Sequence, residues 1–152
     1  MILAWGAGRL ALVPDEVLAT VTRYATGPEA EREAGGILIG AYRGEHLEVT
    51  GCTEPMPMDT RRRSLFDRKD PGHQRAAMAA WSSSLRTETY VGEWHTHPEA
   101  RPSPSSTDLA TWASIMNKTR FPILFLIGGS QMIWKGVGQR GEVVLARGIS
   151  GE

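Results

Sequence analysis

The stretch from Gly92 to Asp108, GEWHTHPEARPSPSSTD, constrains this chain more than any other. The aromatic and β-branched content of Tyr90 to Thr96 predicts a strand, and period-two alternation then sends His95 and His97 to one face and Trp94 and Thr96 to the other. Two imidazoles therefore look at one point in space. Asp108 stands eleven residues beyond His97, where Ser105 reads as an N-cap and Leu109, Trp112, Ile115 and Met116 recur at helical spacing. A strand that turns into a helix can bring that carboxylate back over its own end. Two neutral imidazoles and a carboxylate suit zinc, which binds nitrogen and oxygen ligands tetrahedrally and in catalytic sites keeps one corner for water. Hydrolysis at such a centre also needs a carboxylate to move protons. The spacing alone leaves open which Asp or Glu that is.

His95, Thr96, His97, seven residues, Ser105, two residues, Asp108 resembles the signature of the JAB/MPN (JAMM) metalloprotease family. Glu33, immediately ahead of AGGILIG, stands where that family has a glutamate before a small-residue strand. Thr96 departs from the Ser of many eukaryotic members and leaves the ligands untouched. Arg61 to Arg63, Asp67 to Gln74 and GEWHTHPE look like the short bacterial members, among them those encoded beside ubiquitin-like conjugation enzymes in antiphage operons. The likeness spans roughly Ala34 to Trp134.

The resemblance implies a cytidine-deaminase-like MPN fold, α+β, with a mixed, mostly antiparallel sheet flanked by helices. It implies one zinc ion per chain on His95, His97 and Asp108, Glu33 as general base, and Ser105 steadying the oxyanion. The implied reaction is hydrolysis after the C-terminal glycine of a ubiquitin-like protein joined to a target lysine. Alternatives within the family are a peptidase that matures a ubiquitin-like or sulfur-carrier precursor, and a non-catalytic scaffold. Implied partners are the ubiquitin-like protein, its conjugates, and E1-like and E2-like enzymes of the same operon.

Length and composition bound the rest. A chain of 152 residues has room for a single domain, 1–152. Seventeen basic residues against seventeen acidic ones argue against nucleic acid or an anionic membrane as partner. One cysteine, Cys52, excludes an internal disulfide and fits a reducing compartment, so a cytoplasmic location is expected. Cys52 itself reads as a small buried hydrophobe. No apolar run approaches the roughly 20 residues of a membrane span, and MILAWGAGRL has its charge in the wrong order for a signal peptide.

In chain order, the expected elements are a strand Leu10 to Val13 and a helix Pro14 to Ala25 with Val17, Leu18, Val21 and Tyr24 inward. A hairpin follows, Gly35 to Tyr42 and His46 to Thr53, whose Gly35 and Gly36 call for a close approach of backbone or space for a ligand. Glu54 to Asp70 reads as an irregular surface loop, with the alternative that Arg61, Arg62 and Arg63 form a basic lip for an acidic partner. Pro71 to Leu85 reads as a helix in which Ala76, Ala77, Ala79, Ala80 and Trp81 give an apolar side that packs on the sheet. Beyond the histidine strand come a helix Ser106 to Asn117, an apolar strand within Thr119 to Ile127, a strand Gln131 to Lys135, and a last strand Glu142 to Arg147. Glu93 alternates onto the histidine face and is the candidate to orient an imidazole. Trp94 and Trp112 read as core.

Overall fold

The computed structural model describes residues 1–149, so residues 150–152 of the expected 1–152 domain lie outside the described part. Its strands are β1 Ile2–Trp5, β2 Arg9–Leu12, β3 Gly35–Arg43, β4 His46–Cys52, β5 Thr60–Arg62, β6 Leu65–Asp67, β7 Thr89–Thr96, β8 Ile123–Gly128, β9 Ile133–Gln139, β10 Glu142–Leu145 and β11 Arg147–Gly148; the helices are α1 Asp15–Ala25, α2 Gly72–Ser83 and α3 Ser106–Met116. Nine strands form one sheet in the order β10-β9-β8-β7-β3-β4-β2-β1-β11. The pairs β2/β4 and β7/β8 are parallel and the others antiparallel, the expected α+β arrangement.

The expected last strand is broken at Ala146, which is buried. Its halves lie at opposite edges of the sheet, β10 on β9 and β11 on β1, although one residue separates them. The sheet therefore curls until its edges approach. Arg9 Nη1 donates to the Gln139 side chain at 3.2 Å across the closing seam, and Ala146 N–H donates to the Lys135 carbonyl at 3.1 Å.

Helix α1 packs Val17 and Val21 against one sheet face, with Leu38, Val91, Trp94, Leu124 and Leu126. Helix α3 packs Trp112 and Met116 against the other, with Ile123, Phe125 and Ile127. Strand β8, ILFLIG, is buried throughout because helices cover both its faces. A bulge in the β3/β7 ladder pairs Leu38 with Gly92 and Ile39 with Tyr90, leaving Val91 as the extra residue. Alternation inverts there. Val91 joins the α1-side core, and Tyr90 turns to the α3 side.

Two expectations are corrected. Glu54 to Asp70 is no plain loop: β5 and β6 pair within it as an antiparallel hairpin. Helix α2 does not bury Trp81, which is 44% exposed; its one buried residue is His73. Ala-rich sequence predicts the helix correctly, but His73 faces inward because the segment before it supplies a polar partner. Among the described residues no helix is long and apolar enough to cross a membrane.

Candidate metal centre

Strand β7 ends at Thr96, and its Trp94 and Thr96 are buried on the α1 side as alternation requires. His95 and His97 emerge on the other side, with Nε2 atoms 3.0 Å apart. Ser105 caps α3 through a reciprocal capping box. Its hydroxyl accepts from Asp108 N–H at 3.0 Å, and Ser105 N–H donates to Asp108 Oδ2 at 2.9 Å. That cap aims the Asp108 carboxylate at the imidazoles, with Oδ1 3.2 Å from His95 Nε2 and Oδ2 3.1 Å from His97 Nε2. A tetrahedral zinc centre with bonds near 2.0 Å holds neighbouring ligand atoms roughly 3.3 Å apart. The two Nε2 atoms are near that spacing, and each has one Asp108 oxygen near it, Oδ1 for His95 and Oδ2 for His97, so the donor set suits such an ion in chemistry and its atoms converge within 4.8 Å of one another.

Electrostatics agree with a centre built for positive charge. Burial pushes the Asp108 carboxyl upward, but hydrogen bonds and attraction from His95 and His97 outweigh it and hold the group well below the usual carboxylate range. The same contact with Asp108 raises His97 against the opposing pull of burial.

Glu33 reaches the groove through strand register. Gly35 pairs with His95, and Ala34 exchanges hydrogen bonds with Thr96: Thr96 N–H to the Ala34 carbonyl at 2.9 Å, and Ala34 N–H to Thr96 Oγ1 at 2.9 Å. One more step of the ladder sets Glu33 beside His97. The half-buried Glu33 lines a groove of about 660 Å³ together with His95, His97, Ser105 and Asp108. Burial raises its carboxyl above the ordinary value, with His97 and His95 pulling the other way. Ser105 is exposed at the groove, and because its oxygen accepts from Asp108, its O–H hydrogen remains free to donate.

The β5/β6 hairpin covers this groove and anchors Glu33. Glu33 N–H donates to the Arg62 carbonyl at 2.7 Å, and Arg61 Nε donates to the Glu33 carbonyl at 3.0 Å. Arg61 also reaches Glu29 Oε2 at 3.1 Å and is 12% exposed at its side chain. The basic lip therefore loses one member to internal contacts; Arg62 and Arg63 stay exposed. The paired glycines show the expected close approach, and Gly36 also lines the groove. A Cβ on Gly35 would lie 2.6 Å from the Phe66 ring of the hairpin, and one on Gly36 2.1 Å from the Thr53 carbonyl oxygen.

Glu93 does not orient an imidazole; it is paired with Arg68 across the groove. That position belongs to Glu99, whose Oε1 lies 3.1 Å from His97 Nδ1 and so holds the Nε2 lone pair toward the cluster. The alternation that favours Glu93 extends equally to Glu99, two residues past His97, and was the available signal. Cys52 is half-buried, and its thiol is pushed up to about 11 chiefly by burial.

A second set of residues had no local signal at all. His73 Nε2 donates to Asp59 Oδ2 at 2.7 Å, and His73 Nδ1 lies 2.6 Å from Thr53 Oγ1. Thr53 Oγ1 also accepts from Ile37 N–H at 2.9 Å, so the hydroxyl joins the ring to the start of β3. Asp59 further accepts from Met56, Lys69 and Asp70 N–H. This buried knot ties both ends of the hairpin segment to α2 and to Thr53, the residue after β4.

Residues 15–138 match a family model described as prokaryotic homologs of the JAB domain. A Pseudomonas aeruginosa protein named CD-NTase/cGAS isopeptidase is 37% identical over 119 residues, 77% of this chain and 75% of the relative. A Vibrio cholerae protein of the same name is 35% identical over 140 residues, 92% of this chain and 89% of the relative. Among solved structures, a solution structure of a Desulfitobacterium hafniense protein superposes with a TM-score of 0.65 at 17% identity, covering 89% of this chain and 88% of that one.

Proposed function

The chain belongs to the family of prokaryotic homologs of the JAB domain, and on that premise we propose that it is a zinc-dependent isopeptidase. In this reading one domain, residues 1–152, hydrolyses the bond between the C-terminal glycine of a ubiquitin-like protein and a target lysine, in the cytoplasm and as part of antiphage defence. The names of the relatives support the reaction class. The observation that carries the reading to this chain is two imidazole Nε2 atoms 3.0 Å apart, each within 3.2 Å of an Asp108 oxygen, beside a half-buried glutamate in one groove.

His95, His97 and Asp108 would hold one zinc ion, which supplies Lewis-acid polarisation of the scissile carbonyl and acidification of the attacking water. Glu33 takes a proton from that water as its oxygen bonds to the carbonyl carbon. Its raised pKa brings it nearer the working pH, which favours both taking and returning a proton. The free O–H hydrogen of Ser105 donates to the carbonyl oxygen as charge develops there. When the C–N bond breaks, Glu33 passes the proton to the departing amine, so that water has added across the amide. Glu99 orients His97, and Asp108 is aimed by its own cap.

The test is a panel of three substrates for one ubiquitin-like protein: its C-terminally extended precursor, a linear fusion, and a lysine conjugate. Preferential cleavage of the lysine conjugate, abolished by chelation and restored by zinc, is expected. Cleavage of the precursor alone would move the assignment to maturation, and absence of both bound metal and cleavage would make the chain a scaffold.

A further inference from the structure

A second depression, of about 770 Å³, opens between α2 and α3, with Trp81 on one wall, Phe121 on another and Tyr90, Ile115 and Ile123 lining it. Its apolar surface is left to solvent: Trp81 is 44% exposed and Phe121 50%. Met78, one turn before Trp81 on α2, and Leu85, two residues past the end of α2, are exposed as well, the latter at 88%. Contiguous apolar surface of this kind is costly to leave in water and marks interaction sites. The turn that sets it out is itself strained. Leu85 and Arg86 both adopt left-handed backbone, φ 58° and 66°, and Arg86 N–H is held by the Trp81 carbonyl at 2.9 Å.

The charges beside this surface have one sign. Arg43, Arg86 and Lys118 line the depression and no carboxylate does. Arg43 is paired with Glu48 at 3.2 Å, whereas Arg86 and Lys118 enter no ion pair among the described residues. In a chain of zero formal net charge, this is a local segregation that complements an anionic partner. The β7 bulge turns Tyr90 into the depression on the same sheet side as Glu93 and His95 of the groove. From Tyr90 to His95 is at most about 16 Å at ~3.3 Å per residue. An extended polypeptide spans that distance easily.

We propose that this depression is an exosite for the protein portion of the substrate, taking an acidic segment that carries a bulky apolar side chain. The apolar side chain fills the space between Trp81 and Phe121, and flanking carboxylates meet Arg86 and Lys118. Calling the partner a substrate rests on the isopeptidase reading; the binding chemistry does not.

The experiment is fluorescence anisotropy on the wild-type full chain with three labelled synthetic peptides: a Phe flanked by Asp and Glu, the same peptide with Ala for Phe, and the Phe peptide with Lys for every acid. Expected is saturable, salt-weakened binding of the first and at least about tenfold weaker binding of the other two. Trp81→Ala and the double variant Arg86→Glu/Lys118→Glu each weaken the first peptide by at least about tenfold and keep the melting temperature. Should Trp81→Ala fold poorly, the double variant, confined to exposed charges, carries the test. Equal affinity for all three peptides, or wild-type affinity in the double variant, overturns the proposal, as does sedimentation showing a dimer abolished by the same changes, which would give this face to a second copy. A chain that binds the peptide but cleaves no conjugate would sink the isopeptidase reading and leave the exosite standing.

Discussion

Arg61 Nε donates to the backbone carbonyl of Glu33 at 3.0 Å, a bond between two residues that the sheet itself does not pair. Together with the bond from Glu33 N–H to the Arg62 carbonyl, it fixes the backbone from which the groove carboxylate projects. An angstrom of misplacement in a reacting group costs up to about a hundredfold in rate. Arg61→Ala is expected to lower kcat by about tenfold or more with metal content unchanged. Arg61→Lys should not rescue it, because an ammonium cannot reproduce the guanidinium's simultaneous contacts to Glu33 and Glu29. Wild-type kcat in Arg61→Ala, measured with metal analysis on the same sample, removes the positioning role.

Glu33→Gln separates chemistry from stability. Loss of general acid-base transfer should cost about 10² to 10⁴ in turnover while metal stays bound. The folded-state pKa of Glu33 is raised by burial, so its ionised form disfavours the fold. That penalty is fully present above the folded pKa and vanishes below the ordinary carboxylate value. The metal-free variant should therefore melt higher than wild type at pH 7 and equally near pH 3; a lower melting point at pH 7 contradicts the burial argument.

Glu99 is predicted to act on metal affinity through His97. Removing a carboxylate that orients a metal-binding imidazole typically weakens binding about 10- to 100-fold. Competition with a chelator of known affinity should show this for Glu99→Ala, while Glu93→Ala, whose partner is Arg68, should bind as wild type.

Breaking the buried knot at His73 should be costly. His73→Ala takes one partner from the charged Asp59 and one from the Thr53 hydroxyl in the interior, for a loss of about 3 kcal/mol. Burial pushes Asp59 upward, but N–H donors, among them that of Asp70, and His73 outweigh it and hold the carboxyl low. The stability Asp59 contributes is therefore present above the ordinary carboxylate pKa and lost as pH falls through the lowered one. Denaturant melts of wild type and Asp59→Asn should differ most at neutral pH and converge in acid; a constant gap down to pH 2 would count against this pair.

Much of the centre is legible in local pattern. Period two puts His95 and His97 on one side, and the spacing of Ser105 and Asp108 writes a helix cap whose geometry aims the carboxylate. These rules act within a strand or a single helical turn, and the eleven residues from His97 to Asp108 join one such strand end to one such cap. The same rules mislead at α2, where the Ala-rich run is a helix but the burial direction is not encoded in it. Propensity is indifferent to which side meets the sheet, and Trp81 faces water while His73 turns inward.

What the amino-acid order determined by itself was the shared facing of His95 and His97, the capped helix that carries Asp108, and the mixed layering of strands and helices, because each follows from periodicity or capping between near neighbours. Only the tertiary structure decided that the Glu33 backbone is clamped by Arg61, that His97 leans on Glu99 rather than Glu93, that a hairpin covers the groove, and that the last strand divides between two sheet edges. Those outcomes depend on register and on partners for buried polar groups, which bring together residues such as Thr53, Asp59 and His73. Their separations along the chain carry no local signal, and the requirement that buried polar groups be satisfied selects among pairings only once the sheet has closed.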